Sequence, residues 1–291
     1  MTSSQSPALL YELLRSFATL ARNLNLSKTV RILGSTRQTV RRHISLLEAH
    51  KGETLFNVED RQYRLTKAGR RALREAEELI SRADAWLQNR TGHINGLQHL
   101  TADDAELTYY LQQHPLGRLW TDGSDLMQLG MRCWTASKSC IEDPAFAPLR
   151  PYLMIFRKLV DDWVCVEVGD KSSYSTWFGW ASERSSVGRA LADLPGGLGF
   201  ANILALPYQE VEDSESVRLD HVHTHLKKPG SDEIVPVSFQ RLLMACHFPD
   251  GSLAIASLVD RTHNISIKGV SGKVAQSMPT GLIMNSKIAL A

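Results

Sequence analysis

Long apolar runs are what this chain most plainly lacks. No stretch approaches the ~18 apolar residues that a membrane-spanning helix needs, so no membrane partner is expected. Cysteine is scarce: Cys133, Cys140, Cys165 and Cys246 are scattered through 291 residues with no CxxC spacing. That excludes a disulfide framework or a cysteine-rich zinc cluster and suits reduced thiols in a cytoplasm. There is no glycine-rich phosphate loop, no GxSxG and no HExxH, so neither a cofactor nor an enzymatic activity is expected. The opening Met-Thr-Ser-Ser-Gln-Ser-Pro has neither a charged start nor an apolar core, and a secretory signal is not expected.

What is present is an uneven charge. The net charge is only +2, yet residues 1–91 carry 16 Lys and Arg against 9 Asp and Glu, while the remainder carries 17 against 22. A basic N-terminal third joined to an acidic remainder suits a nucleic-acid-binding domain fused to a different module. Within that third, Thr36 to Glu48 places Val40, Ile44 and Leu47 at i, i+4 and i+7, which buries one stripe of a helix. The opposite face carries Arg37, Gln38, Arg41, Arg42 and His43, side chains long enough to reach base edges and phosphates. Thr36 is a good N-cap, and Gly34-Ser35 supplies a tight turn before it.

Ala8 to Asn23 reads as a first helix, with Leu10, Leu13, Leu14, Phe17, Leu20 and Ala21 on one face. Ser27 is positioned to cap a short second helix from Lys28 to Leu33. Helix, short helix, turn and basic-faced helix make a helix-turn-helix. Two short strands around Glu59-Asp60-Arg61 then predict a wing, whose Arg61 and Arg64 would meet phosphate or the minor groove. Thr66 caps a long helix through about Asn89, striped with Ala72, Leu73, Ala76, Leu79, Ile80, Ala83 and Leu87.

This region resembles the winged helix-turn-helix of the LysR family of bacterial transcription regulators. The resemblance is carried by Phe17-Ala18, Ile44, Leu47-Glu48, Gly52, Leu55-Phe56 and Leu65-Thr66-Lys67-Ala68-Gly69, and spans about residues 8–90. The chain departs from the family pattern at Thr29-Val30, usually paired alanines, at Arg41, usually serine, and at Asn57-Val58, where an arginine is usual. The resemblance implies double-stranded DNA as partner and a homodimer formed through the helix from Ala68. Lys28, Thr36, Arg37, Gln38, Thr39, Arg41, Arg42, His43, Arg61, Arg64 and Lys67 are the expected DNA-facing set. Of these, Arg37, Gln38 and Arg41 would read bases, and Lys28, Arg42, Arg64 and Lys67 would meet phosphates.

The expected organisation is α+β, with a DNA-binding domain over 1–67, a dimerisation helix over 68–92 and a sensor domain over 93–291. Thr91 to Gly96 reads as a hinge, and Leu97 to Ser139 as helix or loop. Trp163–Val168 is a clear strand, and Ser186–Leu191 reads as a small helix. Val217–Leu226, Val235–Phe248 and Leu253–Asp260 are strand-rich runs, the last two joined by the hairpin turn Pro249-Asp250-Gly251. A strand, small helices and three antiparallel strands is the order of a PAS-like sensor, with its core at about 150–262. A two-lobed binding domain is the chief alternative.

Trp163, Trp177, Phe178 and Arg241 are the candidate ligand-binding residues for a small effector. His221, His223 and His225 share one face of a strand and are candidate metal ligands. They are spread over about 13 Å, too far apart for one small ion, and the plainer expectation is a solvent-facing strand. A metal-dependent enzyme or a protein-interaction module would be the alternative roles of the C-terminal part.

Overall fold

The computed structural model describes residues 9–59, 62–87, 91–103, 108–159, 162–195 and 197–284. The chain divides into two units, residues 1–89 and 90–291.

The first unit opens with α1 (Leu10–Asn23), α2 (Leu26–Leu33) and α3 (Arg37–Lys51). Its wing is β1 (Phe56–Glu59) paired antiparallel with β2 (Gln62–Leu65), and α4 (Lys67–Leu87) closes it. Phe17, Leu20, Val40, Ile44, Leu47, Leu55 and Phe56 share one core with Ala72 and Ala76 of α4. The α2 cap is Asn25 rather than Ser27: the Asn25 side chain accepts from the Lys28 amide at 3.0 Å. Ser27 instead accepts from Arg37 at 2.9 Å. Glu48 satisfies the amides of Leu55 and Phe56 at 2.7 and 3.2 Å, which fixes the chain as it enters the wing.

The second unit is an eight-stranded antiparallel sheet. In chain order it has β3 (Thr91–Ile94), β4 (Leu97–Asp103), β5 (Thr108–His114), α5 (Asp125–Ala136), β6 (Leu153–Leu159) and β7 (Asp162–Val168). Then come α6 (Ser173–Phe178), α7 (Trp180–Ser186), α8 (Gly197–Ser214), β8 (Val217–Lys227), β9 (Ile234–His247), β10 (Leu253–Arg261) and α9 (Gly272–Ala275). The spatial order is β3-β4-β5-β8-β9-β10-β6-β7.

Two further expectations are corrected here. The stretch read as hinge, and the first part of the one read as helix or loop, form a three-stranded meander, β3 to β5, while its later part carries the helix α5. Asn95-Gly96, both at positive φ, turns β3 into β4 as an Asn-Gly hairpin does. Polar residues conceal these strands, because Gln98, Gln112 and His114 are buried where an amphipathic strand would show apolar side chains. The run Ser186–Leu191 is not a helix of its own: Ser186 ends α7, Val187-Gly188 turns, and Arg189-Ala190 lies along β7, where the Cys165 amide donates to the Arg189 carbonyl and the Cys165 carbonyl accepts from Gly188.

One sheet face is covered by α5, through Leu126, Met127 and Cys133 against Leu219, Leu242, Met244 and Leu258. The other face meets α6 and α8, where Tyr208 and Val211 pack on Phe156, Leu243 and Ile255.

Candidate functional sites

The α3 helix is built to present its basic face. Thr36 accepts from the Thr39 amide at 3.1 Å, capping the first turn. Val40, Ile44 and Leu47 are buried, which turns Gln38, Arg41 and Arg42 outward into solvent. Arg41 and Arg42 form no ion pair with any described residue and keep all their donors for a partner. Arg37 is also exposed, though steadied by Ser27. Lys28, Thr36, Arg64 and Lys67 are exposed, and Thr39 is half-buried. His43 is different. It is half-buried and lies 2.7 Å from Ser16 Oγ, so it ties α3 to α1. Arg61 lies outside the described residues. Arg71, on the first turn of α4, pairs with Glu53 at 2.7 Å, while Arg70 donates to the Leu65 carbonyl.

The predicted cap of α4 is present and does two things. Thr66 Oγ1 accepts from the Gly69 amide at 2.9 Å and donates to the Thr54 carbonyl at 2.7 Å, locking the helix start to the wing. Further along, Tyr11 and Arg22 of α1 reach Asp84 and Glu77 at 2.5 and 2.6 Å. Leu73 and Ile80 pack into the core beneath α1, whereas Leu79, Trp86 and Leu87 remain 47%, 69% and 63% exposed.

The histidine strand is not solvent-facing, which overturns the plainer expectation. His221 and His223 are buried and only His225 is exposed. The segment after Arg261 covers this face, and the histidines bind it. His221 Nδ1 accepts from the Ser266 amide at 2.9 Å, and His114 donates to the Ser266 carbonyl at 2.7 Å. Arg118 donates to the other nitrogen of His114 at 3.0 Å. His223 bonds Ser238 at 2.9 Å, and Ser238 in turn donates to the Ala275 carbonyl. His221 and His114 are tied directly to this strap and His223 reaches it through Ser238, while His223 Nε2 is buried without a partner among the described residues. Among the described residues no group of three His, Cys, Asp or Glu is placed to hold a metal.

Burial first, and then neighbouring cationic groups, pull these imidazoles down, His221 to about 3 and His223 to about 4. Both stay neutral in the fold while the unfolded chain takes up protons near pH 6.5, so their contribution is complete above that pH and is lost as pH falls toward 4. Asp260, pushed up to about 6 by burial, acts in the opposite sense over the same window. The test is therefore a difference. From pH 7 to pH 5, the unfolding free energy of the native chain should fall relative to a His221→Gln, His223→Gln variant by about 4 kcal/mol, about 2 for each histidine. Parallel pH profiles in urea denaturation would refute this role.

On the other sheet face a cavity of about 650 Å³ opens between β6, β8, β9, β10 and α6. Its wall includes Tyr152, Phe156, Tyr174, Trp177, Phe178, Tyr208 and Phe239, with Ser173, Ser257, Arg241 and Arg261 as polar groups and the β8–β9 turn at Lys227–Asp232 along one side. Of the four residues proposed from sequence, Trp177, Phe178 and Arg241 line it. Trp163 does not: it is buried under Tyr208 of α8, ring centroids 6.2 Å apart, as plain core. The Trp177 indole N–H is buried at the wall without a partner among the described residues. Arg241 is held by Asp220 through Nε and Nη2, at 3.2 and 2.7 Å. Asp220 is fully buried and also accepts from Arg218 at 2.8 Å. Arg218 extends this network to Gln98 at 2.6 Å and to Glu210.

Helix-turn-helix, wing and an outward basic helix define a winged helix DNA-binding domain in the first unit. Residues 11–70 match the family model for the bacterial regulatory helix-turn-helix protein, lysR family, and the N-terminal unit is a DNA-binding domain of that family. Similar solved structures include a Corynebacterium glutamicum OxyR mutant, at 22% identity over 30% of this chain and 27% of that one, TM-score 0.28. CbnR, a LysR family transcriptional regulator, is 24% identical over 27% of each chain with a TM-score of 0.26. A full-length OxyR variant from Pseudomonas aeruginosa is 21% identical over 28% of each chain, TM-score 0.27. The chain thus spans under a third of the length of these proteins. No curated protein matches it. No helix among the described residues is long and apolar enough to cross a membrane.

Proposed function

We propose that this protein is a sequence-specific DNA-binding transcription regulator that acts as a homodimer and whose C-terminal unit senses a small effector. The observation that carries the reading is the exposed basic face of α3, capped at Thr36, with Arg41 and Arg42 unpaired among the described residues. In this reading Gln38, Arg41 and the steadied Arg37 meet base edges, while Lys28, Arg42, Arg64 and Lys67 meet phosphates. His43 is withdrawn from the DNA-facing set by its bond to Ser16.

Dimerisation is supported by α4. A surface helix that leaves Leu79, Trp86 and Leu87 in water has apolar surface to share, and a two-fold mate is the simplest way to cover it. The second unit supports sensing by its strand order. Two strands, β6 and β7, precede the small helices, and three antiparallel strands follow, the arrangement expected of a PAS-like sheet but with two leading strands instead of one. Its central cavity falls within the volume range of small-molecule sites.

Genomic footprinting of the full chain tests the proposal. A dimer predicts protected sites made of two inverted half-sites, and scattered protection without symmetry would overturn it. On such a site Arg41→Ala should lose about 1–3 kcal/mol of discrimination at one base pair of each half-site. Equal weakening on every sequence, measured by fluorescence anisotropy at fixed salt, would make Arg41 a phosphate contact instead.

A further inference from the structure

The sensing reading leaves the chemistry of the effector open, and the charge in the cavity bears on it. Four basic residues line the wall, Lys227, Lys228, Arg241 and Arg261, against the single acidic Asp232. Three of the four already have a carboxylate. Arg241 meets Asp220 at 2.7 Å, Lys227 meets Asp232 at 2.6 Å and Lys228 meets Glu233 at 3.4 Å.

Arg261 has none among the described residues. Its Nε donates to the Leu282 carbonyl at 2.7 Å. Its Nη1 donates to the Ser173 carbonyl and hydroxyl at 2.7 and 2.9 Å, and its Nη2 to Thr176 Oγ1 at 3.1 Å. All these partners are neutral. A guanidinium has five N–H donors, and these four bonds leave one on Nη2. Asp260, the preceding residue, projects to the opposite face of the strand. Arg261 is only 7% exposed; Asp260 offsets its charge through space but forms no ion pair with it, and a buried cation so weakly compensated is costly. Burial accordingly holds its proton affinity below that of an ordinary arginine.

We propose that the cavity binds an organic carboxylate, with the carboxylate on Arg261 and an apolar, aromatic-sized body against Trp177, Phe178, Tyr208 and Phe239. A phosphate or nucleotide is a poorer fit. The other three cations of the wall already face carboxylates, so one unpaired guanidinium matches a monoanion better than a dianion. Arg261 also grips α6 at Ser173 and Thr176, so a carboxylate that draws on its donors acts on the helix carrying Trp177 and Phe178.

This inference rests on the reading of the second unit as a sensor, and the experiment separates the two. Calorimetry on the full chain compares 1-naphthylacetate, 3-phenylpropionate and decanoate with their neutral amides, and operator affinity is measured on the same protein. At least one acid should bind at least about tenfold tighter than its amide. Arg261→Gln, which keeps side-chain donors but removes the charge, should bring acid and amide within about threefold. Phe239→Ala leaves the Arg261 bonds intact and should weaken acid and amide alike. Should Arg261→Gln not fold, the native acid-to-amide ratio and Phe239→Ala decide between the outcomes. Absence of acid binding, equal binding of the amides, acid binding insensitive to Phe239→Ala, or a preference that survives Arg261→Gln overturns the proposal. Operator binding without acid binding removes only this inference; acid binding without operator binding removes only the regulator reading.

Discussion

Replacing Asp220 with alanine is expected to cost the C-terminal unit about 3–5 kcal/mol, because it strands two buried guanidinium groups at once. Asp220 is fully buried, with Arg218 on one oxygen at 2.8 Å and Arg241 on the other at 2.7 Å, and both arginines are themselves buried. Arg218 keeps Glu210 as a second carboxylate, whereas Asp220 is the carboxylate partner of Arg241 among the described residues. The larger share of the loss should therefore be traced to Arg241. Adding Arg241→Met to Asp220→Ala should recover part of the stability, since an uncompensated charge is removed from the interior. Urea denaturation of the single and double variants measures this. A loss below about 1 kcal/mol in Asp220→Ala, or a double variant worse than the sum of its parts, would show that the pair does not hold these strands together.

The second large effect is expected at Gly69. A Cβ built there falls inside van der Waals contact with the Leu55 carbonyl oxygen and lies 2.9 Å from Leu65 Cδ2. The obstacle is backbone at the mouth of the wing, pinned by Thr66 to Thr54 and by Glu48 to Leu55, so it cannot yield as a flexible side chain would. Gly69→Ala should destabilise the DNA-binding unit by about 3 kcal/mol or more despite the better helix propensity of alanine. Gly92→Ala is the control, because nothing lies within 4 Å of its added methyl. Thermal unfolding of the full chain, with operator affinity as a second readout, compares the two. Gly69→Ala melting with the native protein would mean that the close approach of α4 to the wing is not required.

The same clash explains why so much of the N-terminal unit was legible from sequence. The elements there are joined by local chemistry that leaves a written trace: a capping threonine at Thr36, another at Thr66, and a glycine where the helix start touches the wing. In the C-terminal unit β8, β9 and β10 showed through their β-branched runs and the turn at Asp250-Gly251. The meander β3 to β5 did not show, because it buries polar groups whose partners are distant in the chain. His114 and His221 both bind Ser266, 152 and 45 positions away, so nothing nearby distinguishes an interior histidine from a surface one.

Arg261 was missed for a related reason. On sequence it is the charged end of a strand, and only the pairing of Val259 with Arg241 and of Phe239 with Arg261 puts it on the cavity face. The hairpin turn carries that register, so strand parity was the available signal. Trp163 shows the converse. It shares the aromatic character of Trp177, but Tyr208 from a distant helix fills the space over it.

The placement of β5 against β8 sets an order of events during synthesis. Tyr109 pairs with Thr224 and His114 with Leu219, so the meander leaves the ribosome on the order of a hundred residues before the strand that completes its hydrogen bonds. The DNA-binding unit, whose contacts are mostly local, has no such wait and is free to fold first. For as long as β8 is unmade, β5 is an unpaired edge carrying Tyr109 and Leu111, a template on which another copy of the nascent chain can pair.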